Sequence, residues 1–282
     1  MNHDHGNHSG ADVTVFGPGT WGLIAILVAA VAIYVFATTK LEARQISWPM
    51  RRTTAWLFGV LSVGVALVGP LAERAHHDFA AHMVGHVLLG MLGPLLLVLA
   101  APVTLVLRVL PVSTARRLAR LLASSPAAVL TNPFVAGALN VGGLWVLYRS
   151  GLYETMHNNS FVHVVVHAHI LAAGYLFTFA VLGGPDPAPH RMSAPWRVTA
   201  LIVTIAAHNV LAKTLYADPP AGVAAEQARV GSEVMYYGGA PIEIALIILV
   251  CRPWLLPRRR IRLQDQKVPR ERIMHLDSGR SR

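Results

Sequence analysis

Histidine is the residue type in this sequence whose placement could do chemistry. Fourteen occur among 282 residues. Six of them lie in apolar surroundings: His82 and His86 in HMVGH, His163, His167 and His169 in HVVVHAH, and His208 alone. Helical residues four apart share a face, so His82 with His86, and His163 with His167, could each offer two imidazoles to one metal ion. His169 points about 200° away from His167 and need not join them. Neutral imidazole suits copper, zinc, iron and nickel alike. Met83, Met156 and Met235 fall near the same level, and thioether sulfur selects Cu(I) over zinc. A separate arrangement opens the chain. Met1-Asn2-His3 sets an imidazole third behind a free amine, a square-planar Cu(II) ligand set once two amides ionise, with His5 and His8 close by.

The elements that must position these side chains follow from composition. Apolar residues make up 54% of the chain and Asp, Glu, Lys and Arg only 13%, about half the charge of an ordinary soluble domain. That excludes a two-domain soluble enzyme and points to lipid as solvent. The single cysteine, Cys251, excludes a disulfide scaffold, a thiolate zinc cluster and a CxxC redox pair. Seven apolar runs approach the length of about 20 residues that a helix needs to cross a bilayer. They cover residues 21–39, 53–72, 80–102, 130–148, 161–182, 196–215 and 234–251. Backbone groups in hydrocarbon must be satisfied within the segment, which requires helices. The expected fold is an all-α polytopic membrane bundle of seven transmembrane helices. Residues 1–20 form an outer His-rich tail, 21–251 the membrane domain and 252–282 a basic cytoplasmic tail. The first run lacks a basic segment before it, so it does not read as a cleaved signal peptide.

Charge sets the orientation. The net charge is +10. The second, fourth and sixth loops or tails on one side carry few basic residues, while the opposite face holds groups of four, four, two and ten, twenty of the 24 Lys and Arg. Positive residues stay cytoplasmic, which puts the N-terminus outside and the C-terminus inside. The tail arginines, among them Arg258, Arg259, Arg260 and Arg262, lack the aromatic interleaving of a nucleic-acid binder and suit anionic headgroups. At 1.5 Å per residue, all six intramembrane imidazoles then fall within roughly 3–13 Å of the outer boundary. A lone buried histidine is usually a packed hydrogen-bonding group. Six at one depth read as a site. Glu243, near mid-membrane, is either a proton or cation site or a neutral hydrogen-bonded group, and Asn140 and Asn209 read as interhelical hydrogen-bond formers.

Around the third run the residues become familiar. His82 and His86, then Pro94-Leu95-Leu96 and Ala101-Pro102, resemble the polytopic CtaG family of cytochrome c oxidase assembly factors. Leu152-Tyr153-Glu154, His163 and His167, and Asp186-Pro187 extend the resemblance, and His169 and His208 are similar to those of a branch with extra histidines. The chain departs from the family pattern at Tyr148-Arg149-Ser150, where a His-x-Pro is common, and at Val166, where a Glu is common. It departs again at Glu226-Gln227 and Met235-Tyr236. The resemblance implies a role in maturing a haem-copper oxidase, with copper handled on the outer side of the cell membrane.

The expected function is therefore a non-enzymatic assembly factor, with the lipid bilayer and cytochrome c oxidase subunits as partners. The metal set is His82, His86, His163 and His167 as the core of one copper site, with His169 and His208 close by. His76 and His77 are expected outside it. Zinc and haem stay open as alternatives, through a membrane zinc or di-iron enzyme or a haem-binding electron carrier. The charge asymmetry predicts that an N-terminal tag is cleaved by external protease in intact cells while a C-terminal tag is protected. The reverse pattern would move every histidine to the cytoplasmic side.

Overall fold

A computed structural model describes residues 18–255. The His3, His5 and His8 segment and the tail arginines from Arg258 onward lie outside the described residues. Those described are all-helical, with no strand among them. The chain divides into two compact units, Met1–Val250 and Cys251–Arg282; of the second, residues 251–255 are described and are helical. In order the helices are α1 (Pro18–Ala43), α2 (Met50–Leu67), α3 (Pro70–Arg74), α4 (Phe79–Val87), α5 (Gly93–Leu99), α6 (Pro102–Val109), α7 (Val112–Leu122), α8 (Ser125–Leu130), α9 (Pro133–Arg149), α10 (Leu152–Asn158), α11 (Ser160–Leu182), α12 (Ala194–Ala217) and α13 (Ala225–Leu255). A π-turn, Leu88–Leu92, joins α4 to α5.

Six helical segments are long and apolar enough to cross a membrane: Gly19–Ala43, Met50–Arg74, Phe79–Leu99, Ser160–Leu182, Ala194–Ala217 and Ala225–Arg252. Helix α9 spans 17 residues. Two of the expected runs are interrupted. The second bends at Gly69, whose φ of +89° favours glycine, before Pro70 restarts the helix. The third carries the π-turn because Pro94 has no N–H for the carbonyl of Gly90, four residues earlier. The Gly93 N–H reaches Leu88 O instead. The connection after the third run is also helical. Its α7, VSTARRLARLL, sets Arg116, Arg117 and Arg120 beside apolar residues, with Val112 and Leu121 exposed, a pattern suited to an anionic interface.

Starts and stops follow local chemistry. Asp78, Asn132 and Asn159 accept hydrogen bonds from first-turn amides of α4, α9 and α11. Gly183, at φ +59°, ends α11. Helices α9, α5 and α12 pack around α11, and α2 packs along α5. One apolar core lies at the end where α11 begins, including Phe79, Met83, Tyr148, Met156, Leu211 and Met235. Another, with Leu95, Phe177, Val181, Leu201 and Leu246, lies towards the end where α11 stops.

At that second end two charged side chains are buried as helix-terminal partners. Asp186 accepts from the Val103 N–H at 3.1 Å, the Thr104 N–H at 2.6 Å and the Thr104 hydroxyl at 2.6 Å. Its carboxylate thereby satisfies the first turn of α6, which opens with the left-handed Ala101 and Pro102. Arg197, in the first turn of α12, donates to the carbonyls of Val181 at 2.6 Å and Leu182 at 2.8 Å and so satisfies the last turn of α11. Charged hydrogen bonds of this kind contribute about 2 kcal/mol each. Asp186→Ala is therefore expected to lower the thermal unfolding midpoint in detergent by several degrees, with Asp186→Asn in between. A midpoint equal to wild type in Asp186→Ala would show that α6 does not depend on this carboxylate.

Candidate metal centre

The i, i+4 pair of α4 does not act as one unit. Four residues rise about 6 Å along a helix and turn it by about 40°, so His82 and His86 meet different neighbours. His82 stands among side chains of α9, α10 and α11. Its ring centroid is 5.1 Å from Tyr153, 6.4 Å from His157 and 6.5 Å from His167. His86 instead faces His208 of α12, with ring centroids 5.9 Å apart.

His163 and His167 stack at 4.2 Å on the first two turns of α11. His163 also stacks on His76 at 5.3 Å, and His76 lies 6.2 Å from His157. Five imidazoles, those of His76, His82, His157, His163 and His167, thus gather at one end of the bundle. They come from the α3–α4 connection and from α4, α10 and α11. The cluster borders an open cavity of about 310 Å³ that His76, His77, Tyr153 and His157 help to line. His169 sits elsewhere. Its Nε2 is 3.1 Å from Leu139 O on α9, and its ring occupies the space left by Gly143, where a Cβ would collide with it.

Hydrogen bonds prepare several of these rings as ligands. Nδ1 of His157 donates to Tyr153 O at 2.8 Å, and Nδ1 of His167 donates to His163 O at 2.8 Å. In each, Nε2 is left with the lone pair. The Tyr148 hydroxyl donates to Met83 Sδ at 3.8 Å and lies 3.1 Å from His82 Nε2. The Tyr148 hydroxyl therefore engages His82 Nε2 and leaves His82 Nδ1 without a part in that contact. Met83 is thereby engaged by Tyr148. Among the described residues, no three His, Cys, Asp or Glu side chains already converge as a metal group, so binding an ion here requires the rings to turn inward. The donor set, imidazoles with no thiolate, fits copper as it fits zinc, iron or nickel.

The chain matches the family model described as cytochrome c oxidase caa3 assembly factor (Caa3_CtaG) over residues 32–256. It belongs to that family. Among curated proteins it is 34% identical over 182 residues to Mb0105 of Mycobacterium bovis, an alignment covering 62% of this chain and 27% of the relative. It is 30% identical over 194 residues to ML1998 of Mycobacterium leprae, covering 64% and 29%. The chain therefore spans less than a third of the length of these relatives. No solved structure matches it.

The assembly-factor motifs collect at the two ends of the bundle. Tyr153 of Leu152-Tyr153-Glu154 packs on both His82 of HMVGH and His157, and His82 in turn lies 6.5 Å from His167 of the α11 pair. Ala101-Pro102 and Asp186-Pro187 meet through the Asp186 hydrogen bonds at the other end. Sequence spacing overlooked His157 and treated His76 as remote, because neither lies in an apolar run. The His76-His77-Asp78 stretch directly before a capped helix was the available signal.

Burial first, then the neighbouring His157 and His77, lowers the His76 pKa below the ordinary histidine value. Burial first and the Asp78 carboxylate second raise that of the Tyr153 hydroxyl. A depressed histidine is favoured neutral in the folded protein. Its stabilising share is complete above about pH 6.5 and is lost as pH falls through the lowered value. The thermal midpoint is expected to drop on acidification from about pH 7 to about pH 5, and to drop less in His76→Gln. An identical slope in the variant would assign the acid sensitivity to other groups.

Proposed function

We propose that this protein binds copper ions at the outer histidine cluster and passes them, by ligand exchange, to a subunit of cytochrome c oxidase in the same membrane. One observation carries the reading: five imidazoles from four segments meet beside an open cavity, and three of them have one nitrogen committed to a carbonyl or hydroxyl. Copper is the cargo. Neutral nitrogen donors without a thiolate hold it in a form that a stronger ligand set can take over. Membership of the assembly-factor family favours this role over the metalloenzyme and haem-carrier alternatives.

In this reading the chain crosses the plasma membrane seven times, α9 being the fourth crossing. Its 17 residues rise about 26 Å, close to the hydrocarbon thickness of about 30 Å, and it packs between α11 and α12. The basic residues support an outside N-terminus and an inside C-terminus, which puts the histidine cluster at the outer face. His169, paired with Leu139 O, is a packing residue, and His86 and His208 belong to a deeper level.

The test is oxidase copper content and activity in a deletion strain across a copper titration. Loss of the protein should leave oxidase polypeptides made but poor in copper and activity, with partial rescue by added copper. His163→Ala with His167→Ala should behave like the deletion, and His169→Ala like wild type. Normal oxidase copper content with absent activity would overturn copper handover and leave a scaffolding role.

A further inference from the structure

About one helical turn below His82, the bundle holds a small chamber of about 40 Å³, mostly apolar in its lining, into which His86, Met91, Asn140, Thr204, His208 and Glu243 bring their polar or sulfur atoms. His86 and His208 are 4% and 6% exposed, and Glu243 is 6% exposed. Neither nitrogen of His86 or of His208 has a hydrogen-bond partner. Buried polar atoms in proteins are nearly always paired, so three nitrogens here with neither a hydrogen bond nor a charged neighbour, both of His86 and Nε2 of His208, mark a place built for a guest. His208 Nδ1 lies 3.1 Å from Glu243 Oε1, within ion-pair reach though not aligned as a hydrogen bond. Asn209 Nδ2 donates to Glu243 Oε2 at 3.4 Å. Glycines give the rings room: a Cβ at Gly90 would come 3.3 Å from His86 Cε1, and one at Gly239 would come 3.4 Å from His208 Cε1.

We propose that His86 and His208 form a second, interior Cu(I) site, with Glu243 as the positioning residue behind His208. The metal's identity rests on the copper reading of the outer cluster. Three features favour a monovalent ion held by two imidazoles. Two rings on opposite sides of one ion, each at an ordinary metal–nitrogen bond length, have centroids about 6 Å apart, and these stand at 5.9 Å. A carboxylate facing the second ring nitrogen of a metal-binding histidine fixes its tautomer and orientation, and Glu243 Oε1, 3.1 Å from His208 Nδ1, is within reach of that role. One carboxylate balances one Cu(I) charge, whereas a divalent ion would leave an uncompensated charge deep in the bundle. The Met91 thioether on the chamber wall is a further soft donor. The outer cluster then loads the protein, and the interior pair holds a second ion one level deeper.

Purified full-length protein in detergent is titrated anaerobically with Cu(I) against a chromophoric chelator, beside His208→Ala, Glu243→Gln, and the outer variant His163→Ala with His167→Ala. Wild type should bind two ions, and His208→Ala and the outer variant one each. Glu243→Gln should weaken one of the two ions by about tenfold or more and leave the other unchanged. X-ray absorption of the outer variant carrying one ion should show nitrogen neighbours in low coordination, a readout that does not require His208→Ala to fold. Full binding by His208→Ala, or an outer variant that binds nothing, would overturn the interior site and reduce the chamber to a water pocket. An outer variant that still binds two ions would instead overturn the outer copper site alone.

Discussion

A carbonyl that loses its donor inside an apolar bundle must be accommodated by its surroundings, and here that happens at Gly90. Pro94 removes the N–H that would reach it, the helix widens into the Leu88–Leu92 π-turn, and Gly93 bonds Leu88 O. The Gly90 carbonyl turns towards α11 at Gly174, where a Cβ would collide with it. One extra residue in the turn rotates everything after it by about 100° relative to an uninterrupted helix. That rotation aims α5 at α2 and α11 while His82 and His86, on the preceding turns, keep their own direction. The π-turn also supplies Gly90 and Met91 to the chamber wall.

The division of the histidines into two levels follows from the same helix geometry. His82 and His86 share a face in projection, but their difference in height places one among the tyrosines of α9 and α10 and the other against α12. On α11 the pair His163 and His167 stays together because it lies at the helix start, where His76 covers its open side. Identical spacing on two helices thus gives two outcomes, decided by what the neighbouring elements present.

Composition was enough for the fold class, since the apolar runs can only be helices in lipid and the described residues are helical throughout. The histidines of the membrane runs were legible as candidates because imidazoles in apolar surroundings need partners. Their grouping was not. Spacing states which residues share a face, but not which helix that face meets, so His86 and His208 paired away from His82, and His169 turned to Leu139 O. His76 and His157 were hidden for a different reason. They lie in short polar connections, where the sequence carries no periodic signal and position is set by the capped starts at Asp78 and Asn159. Helix α7 carries no span-length apolar run, because an amphipathic stretch of 11 residues falls below that length.

The two ends of the bundle are fastened very differently. Where α11 stops, Asp186 and Arg197 tie helix termini together through buried, charge-assisted hydrogen bonds. Where α11 starts, the ion pair between Arg149 and Asp218 is exposed, and exposed pairs contribute little. Charge-assisted bonds therefore tie the helix termini at the end opposite the histidines, while the histidine end relies on its apolar core. Mechanically, the helices are like staves pegged by charge at one rim and held at the other by apolar packing and ring contacts.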